Sequence, residues 1–263
     1  MVHVDKSEMN KIAHMFDGIQ DSMVIACLQG YNGDAYVKSW ENPQAALIVS
    51  AEYSFFGGDP EAEDADYLVE HFFDVADTDS STAIFADERP EWENTLMSCK
   101  TNHPERLIRY GIVQKDYDFD MDNLQGYIDA LPEGYQMESF DEDIYNQAMA
   151  EKWSVEFCEG FESAEDFLKR GRGVAVLKDG RLVSGISTQT VYDGGAELQL
   201  ATHEEYRRCG LAVSCAAALV KECSEAGIRP HWDAANTISK RIALKLGYEY
   251  KGEYVAVKLN NNK

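Results

Sequence analysis

The residues best suited to chemistry in this 263-residue chain lie where a strand pattern meets a Gly-containing turn and an Ala-rich helix pattern. The turn is Arg207-Arg208-Cys209-Gly210-Leu211-Ala212. Gly210 permits a positive φ and a close backbone approach. Amides at the start of a helix lack partners within it and lie at the positive end of its dipole. The turn therefore predicts an anion site suited to a pyrophosphate, with Arg207 and Arg208 as cationic donors.

The elements that must position this turn are predicted from hydrophobic periodicity and turn residues. From residue 132 onward the pattern indicates the order β-α-α-β-β-β-α-β-α-β. The dipeptide Asp179-Gly180 favours a two-residue hairpin between two of the strands. The predicted strands are Tyr135–Phe140, Gly173–Leu177, Leu182–Val191, Ala196–Thr202, Ile228–Asp233 and Val255–Leu259, and the predicted helices are Asp141–Phe157, Ala164–Arg170, Leu211–Ala226 and Thr237–Leu246.

Several motifs in this half resemble those of the GNAT superfamily of N-acetyltransferases. Arg207-x-x-Gly210-x-Ala212 resembles the R/Q-x-x-G-x-G/A motif that grips the CoA pyrophosphate. Pro132-Glu133-Gly134-Tyr135 resembles the usual opening of the fold. Asn236-x-x-Ser239, followed by Lys245-Leu246-Gly247-Tyr248, resembles a second CoA-contacting segment and its K-L-G-F/Y ending. The resemblance covers roughly residues 132–259.

The resemblance implies a GNAT-type fold with a central mixed, splayed sheet, and acetyl-CoA as the acyl-donor co-substrate, with no metal. Backbone amides of the strand Ala196–Thr202 are then expected to stabilise the thioester oxyanion. The residues implied to hold the cofactor are Ala201, Thr202, Arg207, Arg208, Cys209, Gly210, Leu211, Ala212, Asn236 and Ser239.

Glu197 is the candidate catalytic base. It shares a strand face with Gln199 and Ala201, because strand side chains alternate, and the resemblance places this strand beside the acyl group. The alternative is an ordinary hydrogen-bonded strand glutamate. His231 is a candidate second proton acceptor or an ordinary strand histidine. Two further residues also have two interpretations each. Trp232 is expected in the core or acceptor-pocket wall rather than stacked on the cofactor, and Asn236 is a pantetheine ligand or a helix cap.

One position departs from the family pattern. Many relatives carry a Tyr seven residues after the Asn, as general acid toward the leaving thiolate, and that position is Ala243 here. Tyr248 is the candidate replacement, with Tyr250 and Tyr254 as alternatives. A thiol pKa near about 8.5 makes the thiolate a tolerable leaving group. The enzyme is therefore expected to be slower, or to use a replacement acid.

The first half predicts a separate α/β domain over residues 1–131, followed by the GNAT domain over residues 132–263. The boundary is placed at Leu131-Pro132-Glu133-Gly134, where a helical pattern ends in Pro and Gly. The whole chain resembles the two-part branch that includes zwittermicin A resistance-type acetyltransferases. Helical patterns are predicted over 6–20, 62–76, 90–99 and 104–112, and strands over Tyr36–Trp40, Ala45–Phe55 and Thr82–Ala86.

Metal sites are not indicated. The acidic run Asp116, Asp118, Asp120, Asp122 lacks the central Gly and closing Glu of a calcium loop. The six cysteines form no C-x-x-C pair and do not cluster with histidines, which is typical of free thiols in a reducing compartment.

The net charge of −23 is unevenly distributed. Residues 1–131 hold 26 acidic and 8 basic side chains, a net of −18, whereas residues 132–263 hold 21 and 16, a net of −5. This field repels nucleic acid and anionic membranes and attracts cations. The first half is therefore expected to wall the acceptor side and favour a cationic amine, or else its acidity serves only solubility.

No apolar run approaches the roughly 20 residues of a membrane span, and no signal peptide is indicated, so a cytoplasmic protein is expected. The predicted function is transfer of an acetyl group from acetyl-CoA to an amine of a small-molecule, cationic or antibiotic-like, acceptor by direct attack. Two alternatives remain: a non-catalytic acyl-CoA- or ligand-binding protein, and an acidic first half that serves as a protein-interaction module. The oligomeric state is left open.

Overall fold

The computed structural model describes residues 1–86, 89–113 and 118–261. The chain forms two compact units. The first unit is Met1–Arg109 together with Glu253–Lys263, and the second unit is Tyr110–Gly252. The predicted division after residue 131 falls inside the second unit. It follows a helix over Met121–Asp129, and Leu124 of this helix is fully buried in the core of the second unit. What each predicted domain does stays a prediction.

The first unit alternates short strands with short helices. Two successive 3₁₀ helices span Lys6–Lys11 and Ala13–Phe16. Met9 and Met15 within these helices, and Ile12 between them, are buried. The regular elements are β1 (Val2–His3), α1 (Ser22–Leu28), β2 (Asp34–Val37), β3 (Ala45–Ser50), β4 (Tyr53–Gly58), α2 (Glu63–Glu70), a 3₁₀ helix (Phe72–Asp74), β5 (Ser80–Ile84), α3 (Glu91–Ser98), a 3₁₀ helix (Lys100–Asn102) and β6 (Glu105–Val113), which continues into the second unit.

The second unit begins within β6 and ends within the last strand. Side-chain caps start four of its helices, since Asp120, Asp141, Ser163 and Asn236 each accept a hydrogen bond from a first-turn amide. The elements are α4 (Met121–Asp129), β7 (Gln136–Ser139), α5 (Glu142–Ala150), a 3₁₀ helix (Val155–Phe157), α6 (Ala164–Arg170), β8 (Gly173–Lys178), β9 (Arg181–Tyr192), β10 (Gly195–Thr202), a 3₁₀ helix (Glu204–Tyr206), α7 (Leu211–Glu225), β11 (Arg229–His231), β12 (Asp233–Ala234), α8 (Thr237–Leu246) and β13 (Glu249–Asn260).

Strands of the first unit lie in the order β1-β2-β3-β4-β5-β13. Strands β3 and β4 are antiparallel, β4 and β5 are parallel, and the C-terminal part of β13 pairs antiparallel with β5. The sheet separates two hydrophobic clusters. One contains Ile12 and Phe55, and the other contains Phe56 and Trp92, because successive strand residues face opposite sides.

Strands of the second unit lie in the order β11-β10-β9-β8-β7. Only β10 and β11 are parallel, and the other pairs are antiparallel. Val174 and Val176 face a cluster that includes α7 and α8, whereas Ala175 and Leu177 face a cluster that includes α5 and α6. The sheet is therefore covered by helices on both faces, which explains why β8 is apolar almost throughout.

The sheet of the second unit splays at β10. Strands β10 and β11 pair only from Gly195–Arg229 to Glu197–His231, and the next strand, β12, pairs with β6 instead. In the described chain no strand pairs with that edge of β10 from Leu198 to Thr202. The mixed, splayed α/β fold expected from the sequence is thus confirmed.

Several secondary-structure predictions differ from the structure. The predicted strand Ile228–Asp233 is two strands, β11 and β12, in different sheets, and the predicted helix Asp141–Phe157 ends as α5 at Ala150. Residues 105–112 belong to strand β6 rather than to a helix, because tertiary pairing with neighbouring strands overrides a weak local pattern. The region 6–20 holds 3₁₀ rather than α-helix. Buried positions spaced by three suit a 3₁₀ helix, which has three residues per turn. The predicted strand Ala45–Phe55 is two strands, β3 and β4, joined by a tight turn.

Candidate functional site

The turn between β10 and α7 has the backbone that the sequence predicts. Gly210 has φ +85° and caps the N-terminus of α7, and Arg208 also has a positive φ of +66°. A Cβ atom at Gly210 would meet no heavy atom within 4 Å, so the space in front of the helix is open. The turn therefore exposes its backbone toward a ligand rather than toward the protein.

The amides of this turn form a run of unused donors. Among the described residues, the N–H groups of Arg208 through Val213 have no hydrogen-bond acceptor. The first helical bond of α7 is donated by Ser214 to the Gly210 carbonyl. Because α7 is 15 residues long, the positive end of its dipole adds to these donors. The arrangement favours a bound anion with several oxygens.

Side chains around the turn are placed as the motif requires. Arg207 is exposed, and its Nε donates to the Thr202 carbonyl at 3.2 Å, which holds the turn to the end of β10. Arg208 and Cys209 are exposed, so their side chains are accessible to a ligand. Leu211 is buried in the core and anchors α7.

The preceding strand supplies further residues near the turn. The Thr202 hydroxyl lies 2.7 Å from the Ser184 hydroxyl, and the Ala201 carbonyl accepts from Ser184 Oγ at 3.2 Å. Ala201, Thr202 and Ala212 are all half-buried. The structure thus brings eight of the predicted cofactor residues, Ala201, Thr202 and Arg207 through Ala212, to one end of β10 and the start of α7.

Glu197 lies where β10 is irregular. The pairing of β10 with β9 shifts between Glu197 and Leu198, which leaves Gln189 of β9 without an opposite residue. A bulge of this kind redirects side chains and often occurs beside active sites. Glu197 is 8% exposed, and its Oε1 accepts a hydrogen bond from the Asp233 amide at 3.1 Å. The carboxylate therefore lies at the point where β10 and β11 separate.

His231 is the partner of Glu197 across the parallel pair β10–β11. Its Nε2 is hydrogen-bonded to the Tyr192 hydroxyl, and the two ring centroids are 5.6 Å apart. Burial, with a smaller contribution from Arg229, lowers the pKa of His231 to about 4. The imidazole is consequently neutral at pH 7.

We expect His231 to make the protein less stable in acid. The unfolded histidine binds a proton near about pH 6.5, before the folded one does, so the free energy of unfolding falls as the pH drops from about 6.5 to about 4. His231→Gln should remove this part of the acid sensitivity, up to about 3 kcal/mol. Urea unfolding at pH 7 and pH 4.5 measures it, with His71→Gln as the control for an exposed imidazole. Equal pH dependence in both variants and the wild type would contradict the lowered pKa.

The start of α8 carries the second predicted cofactor segment. Asn236 caps the helix, since its Oδ1 accepts from the amides of Ile238 and Ser239 at 3.0 and 2.9 Å. The Ser239 hydroxyl accepts from Trp232 Nε1 at 2.9 Å, and Trp232 is 5% exposed in the core. The capping role of Asn236 and the core role of Trp232 are thus both present.

Tyr248 is a core residue. It is 4% exposed, its hydroxyl donates to the Pro230 carbonyl at 2.8 Å, and its ring packs on Phe119 and Trp232. A buried hydroxyl engaged with the backbone is poorly placed to protonate a leaving thiolate. The packing and the hydrogen bond therefore give Tyr248 a structural role, and its role as general acid stays a prediction.

The other three positions discussed for the general acid are Ala243, Tyr250 and Tyr254, and each has a different environment. Ala243 is fully buried on α8 within the core. Tyr250 is exposed and holds the Lys240 ammonium over its ring at 4.4 Å. Tyr254 belongs to the first unit and packs against that unit's core.

Tyr192 belongs to no motif, and the sequence reasoning missed it because it lies across a turn from the motif strand β10. Only the register Tyr192–Gly195 shows that it shares a sheet face with Glu197 and His231. The signal that could have found it is the alternation of Thr188, Thr190 and Tyr192 along a strand that is otherwise buried.

Comparison with known proteins gives consistent results. The family model described as GNAT acetyltransferase matches residues 13–257, which includes most of the first unit. An uncharacterised N-acetyltransferase, YdfB of Bacillus subtilis (strain 168), is 36% identical over 126 residues. That alignment covers 47% of this chain and 48% of YdfB, so the chain spans about half the length of that curated relative.

Solved structures extend the likeness to the whole chain. A GCN5-related N-acetyltransferase-like protein from Streptococcus suis 89/1591 has a TM-score of 0.85 and 30% identity, covering 96% of this chain and 98% of its own. A GCN5-related N-acetyltransferase from Kribbella flavida has a TM-score of 0.57 and 16% identity, covering 84% and 88%, and shows the fold alone.

Membrane-spanning helices and metal clusters are both absent from the residues that the structure describes. None of their helices is long and apolar enough to cross a membrane. In the same part of the chain, no group of three or more His, Cys, Asp or Glu side chains is arranged to hold a metal ion.

Proposed function

This chain belongs to the GNAT acetyltransferase family, and from that premise we propose that it transfers an acetyl group from acetyl-CoA to an amine of a small molecule. The observation that carries the proposal is the run of unpaired amides from Arg208 to Val213. These donors lie beside the open edge of a splayed strand. A pyrophosphate bound to the turn would leave the pantetheine arm free to lie along β10.

The donor half of the site follows from this geometry. Arg207 through Ala212 hold the pyrophosphate through backbone amides and two guanidinium groups. Each amide-to-phosphate bond contributes about 1.5–3 kcal/mol before entropy costs. Ala201 and Thr202 border the arm, and Asn236 and Ser239 flank it from α8. The unpaired edge of β10 supplies amides that stabilise the developing oxyanion.

The acceptor half depends on Glu197. An ammonium must lose a proton before its nitrogen attacks the thioester carbon, and Glu197 takes that proton directly or through water. The amine nitrogen then forms the new C–N bond, the C–S bond breaks, and CoA leaves as a thiolate, which takes the second proton of the nitrogen to give the neutral amide and free CoA. A general acid adds about 10²–10⁴ in rate where one is present. Ala243 stands where many relatives have that acid, so we expect either a slower departure of the thiolate or a replacement acid.

Direct attack is favoured over a covalent acyl-enzyme. Burial raises the pKa of Cys158, Cys215 and Cys223 to about 12, which keeps these thiols protonated and unreactive. Cys215 also lies within the core cluster. These cysteines are therefore unsuited to accept the acetyl group in a first step.

A binding protein without turnover is the second candidate, because Ala243 stands where many relatives have a tyrosine. The two are separated by incubating the full chain with labelled acetyl-CoA and a panel of polyamines, aminoglycosides and amino acids. We expect equimolar free CoA and acetylated amine with at least one class. Binding of acetyl-CoA without release of CoA in the presence of any amine would favour the second candidate.

We expect a cationic acceptor to show a strong dependence on salt. The −18 charge of residues 1–131 raises the local concentration of cations, and salt screens this field over about 8–10 Å. The kcat/KM for a polycationic acceptor should therefore fall severalfold between about 20 and 200 mM salt. Steady-state kinetics measure it, with the acetyl-CoA affinity under the same conditions as the control. A preference for a neutral or anionic acceptor would contradict the expected field effect.

The proposed function also includes the class of acceptor and the role of the first part of the chain. We place the acceptor among antibiotic-like or other amine-bearing small molecules, by the resemblance to the zwittermicin A resistance-type branch. We propose that residues 1–131 wall the acceptor side rather than bind a second acetyl-CoA or serve as a protein-interaction module.

A further inference from the structure

The two units repeat one order of elements. In the first unit, β3 and β4 are antiparallel, α2 follows β4, and β5 returns parallel to β4. In the second unit, β9 and β10 are antiparallel, α7 follows β10, and β11 returns parallel to β10. The segment β4–α2–β5 is thus the topological counterpart of β10–α7–β11, which carries the proposed acetyl-CoA site.

A cavity of about 910 Å³ lies at this counterpart position. Gly58 and Asp59 line it from the carboxyl end of β4, and Ala86 and Arg89 line it just after β5. In open α/β sheets, ligands bind outside the carboxyl ends of the strands. The volume is within the range of small-molecule sites.

The turn before α2 is unsuited to phosphate. Its sequence is Asp59-Pro60-Glu61-Ala62, and the first turn of α2 adds Glu63, Asp64 and Asp66. The Asp59 carboxylate already accepts the Glu61 amide at 3.0 Å. Carboxylates at a helix start occupy the positive dipole end and repel a second anion. The cavity therefore lacks the chemistry of the pyrophosphate turn.

One wall of the cavity already holds an ammonium group. The Lys11 Nζ lies 5.2 Å from the centre of the Trp40 ring and forms an ion pair with Glu8. Trp40 is 36% exposed, so its ring is available to solvent. An aromatic face beside a carboxylate is the pair of contacts that recognises an alkylammonium.

Two further charged side chains, Asp17 and Arg89, line the cavity and differ in their hydrogen-bond partners. The exposed Asp17 carboxylate lines the cavity and has no hydrogen-bond or ion-pair partner among the described residues. Arg89 donates to the Gly58 carbonyl at 3.4 Å. Apolar residues also line the cavity, namely the half-buried Ile19 and the almost fully buried rings of Phe56 and Trp92, whose centroids are 5.6 Å apart. The cavity thus combines apolar side chains with a carboxylate, that of Asp17, that is not paired with a described residue.

We propose that this cavity in the first unit is a binding site for a small organic cation that carries a primary ammonium group. Trp40, Glu8 and Asp17 recognise the ammonium, and the half-buried Ile19 contacts the carbon chain. Lys11 acts as a built-in competitor, because its own ammonium occupies the face of Trp40. This site is separate from the proposed acetyl-CoA turn and does not depend on acetyl transfer.

If Lys11 competes with the ligand, replacing Lys11 should strengthen putrescine binding rather than weaken it. Calorimetry on the full chain, without acetyl-CoA, would use putrescine as the cationic probe, 1,4-butanediol as the neutral one and glutarate as the anionic one. Lys11→Ala should tighten putrescine binding about fivefold or more, since it frees Trp40 and Glu8. Asp17→Asn should weaken it about fivefold or more.

Matched variants control for net charge. Lys6→Ala removes the same charge from the same 3₁₀ helix, but Lys6 lies against Gly30 and not in the cavity. Glu52→Gln removes an exposed carboxylate elsewhere in the unit. Both controls should bind putrescine within about twofold of the wild type. Weaker binding by Lys11→Ala, tighter binding of glutarate than of putrescine, or no heat with putrescine in either the wild type or Lys11→Ala would overturn the proposal.

Variants of the second unit distinguish a failure of the cavity proposal from a failure of the proposed acetyl transfer. Gly210→Val should lose acetyl-CoA affinity and keep putrescine affinity, because Gly210 lies in the second unit. Glu197→Gln should also leave the putrescine affinity unchanged if the amine binds in the cavity. Loss of putrescine binding in Glu197→Gln, with no effect of Asp17→Asn, would place the amine at the acceptor site and overturn the cavity proposal.

Discussion

Replacing Glu197 by Gln is expected to lower kcat by about 10²–10⁴ at neutral pH, with almost no change in acetyl-CoA affinity. Glutamine keeps the shape of the side chain and can still accept the hydrogen bond from the Asp233 amide through its Oε1. It cannot take a proton from an ammonium at neutral pH. Steady-state kinetics with a reactive amine, combined with calorimetry of acetyl-CoA, measure the two effects.

This substitution separates the two interpretations of Glu197. If the carboxylate only holds the Asp233 amide, the Gln variant preserves that contact and turns over like the wild type. Activity of the variant should rise with pH as the free amine becomes abundant, whereas the structural interpretation predicts parallel pH profiles. Glu138→Gln, on the exposed strand β7, controls for removal of one strand carboxylate. Wild-type turnover by Glu197→Gln would leave Glu197 as a structural residue.

Replacing Gly210 by Val is expected to remove most of the acetyl-CoA affinity. The wild type should bind in the micromolar range, about −8 kcal/mol. A β-branched residue resists the φ of +85°, and its side chain would fill the open space in front of α7. A loss of about 100-fold or more by calorimetry is the expected outcome.

The opposite end of the same helix provides the control. Gly227 follows α7 and has a φ of +70°, and a Cβ atom there would also meet no heavy atom within 4 Å. Gly227→Val therefore imposes a similar backbone strain without blocking the turn. Its thermal stability should fall as that of Gly210→Val does, while its acetyl-CoA affinity stays near the wild-type value. Similar affinities in the two variants would contradict the pyrophosphate assignment.

Local sequence signals were sufficient for the second unit wherever a residue type has one strong conformational role. Asp179-Gly180 forms the predicted hairpin between β8 and β9, and Asn236 caps α8 as its residue type favours. The strand–turn–helix around Gly210 is also present, because positive φ and helix capping are set by a few neighbouring residues. These features need no information from distant parts of the chain.

The first unit was harder to predict for a physical reason. Its strands are short, and one of them, β13, arrives from the far end of the chain to pair with β5. The segment Glu105–Val113 is predicted as a helix from its own pattern, and its place between β13 and β12 in the sheet makes it a strand. Such pairings are non-local, so periodicity within one segment carries little information about them.

The roles of the tyrosines show the same limit at the site. Tyr248 carries a family-like motif position, yet its hydroxyl is used inside the core by the Pro230 carbonyl. Tyr192 belongs to no motif, yet the sheet register places its hydroxyl against His231. Residue type alone cannot tell the two hydroxyls apart, whereas burial and hydrogen bonding distinguish them.

By itself the sequence determined the strand–turn–helix around Gly210, the order of most elements between residues 132 and 252, and the acidity of the first half, because each depends on residue type and short spacing. Only the tertiary structure decided which side chains meet. It placed Glu197 at a bulge beside His231, buried Tyr248, and opened a cavity at the carboxyl ends of β4 and β5. Contacts across strands depend on register and packing between residues far apart in the chain, and no short stretch of sequence encodes them.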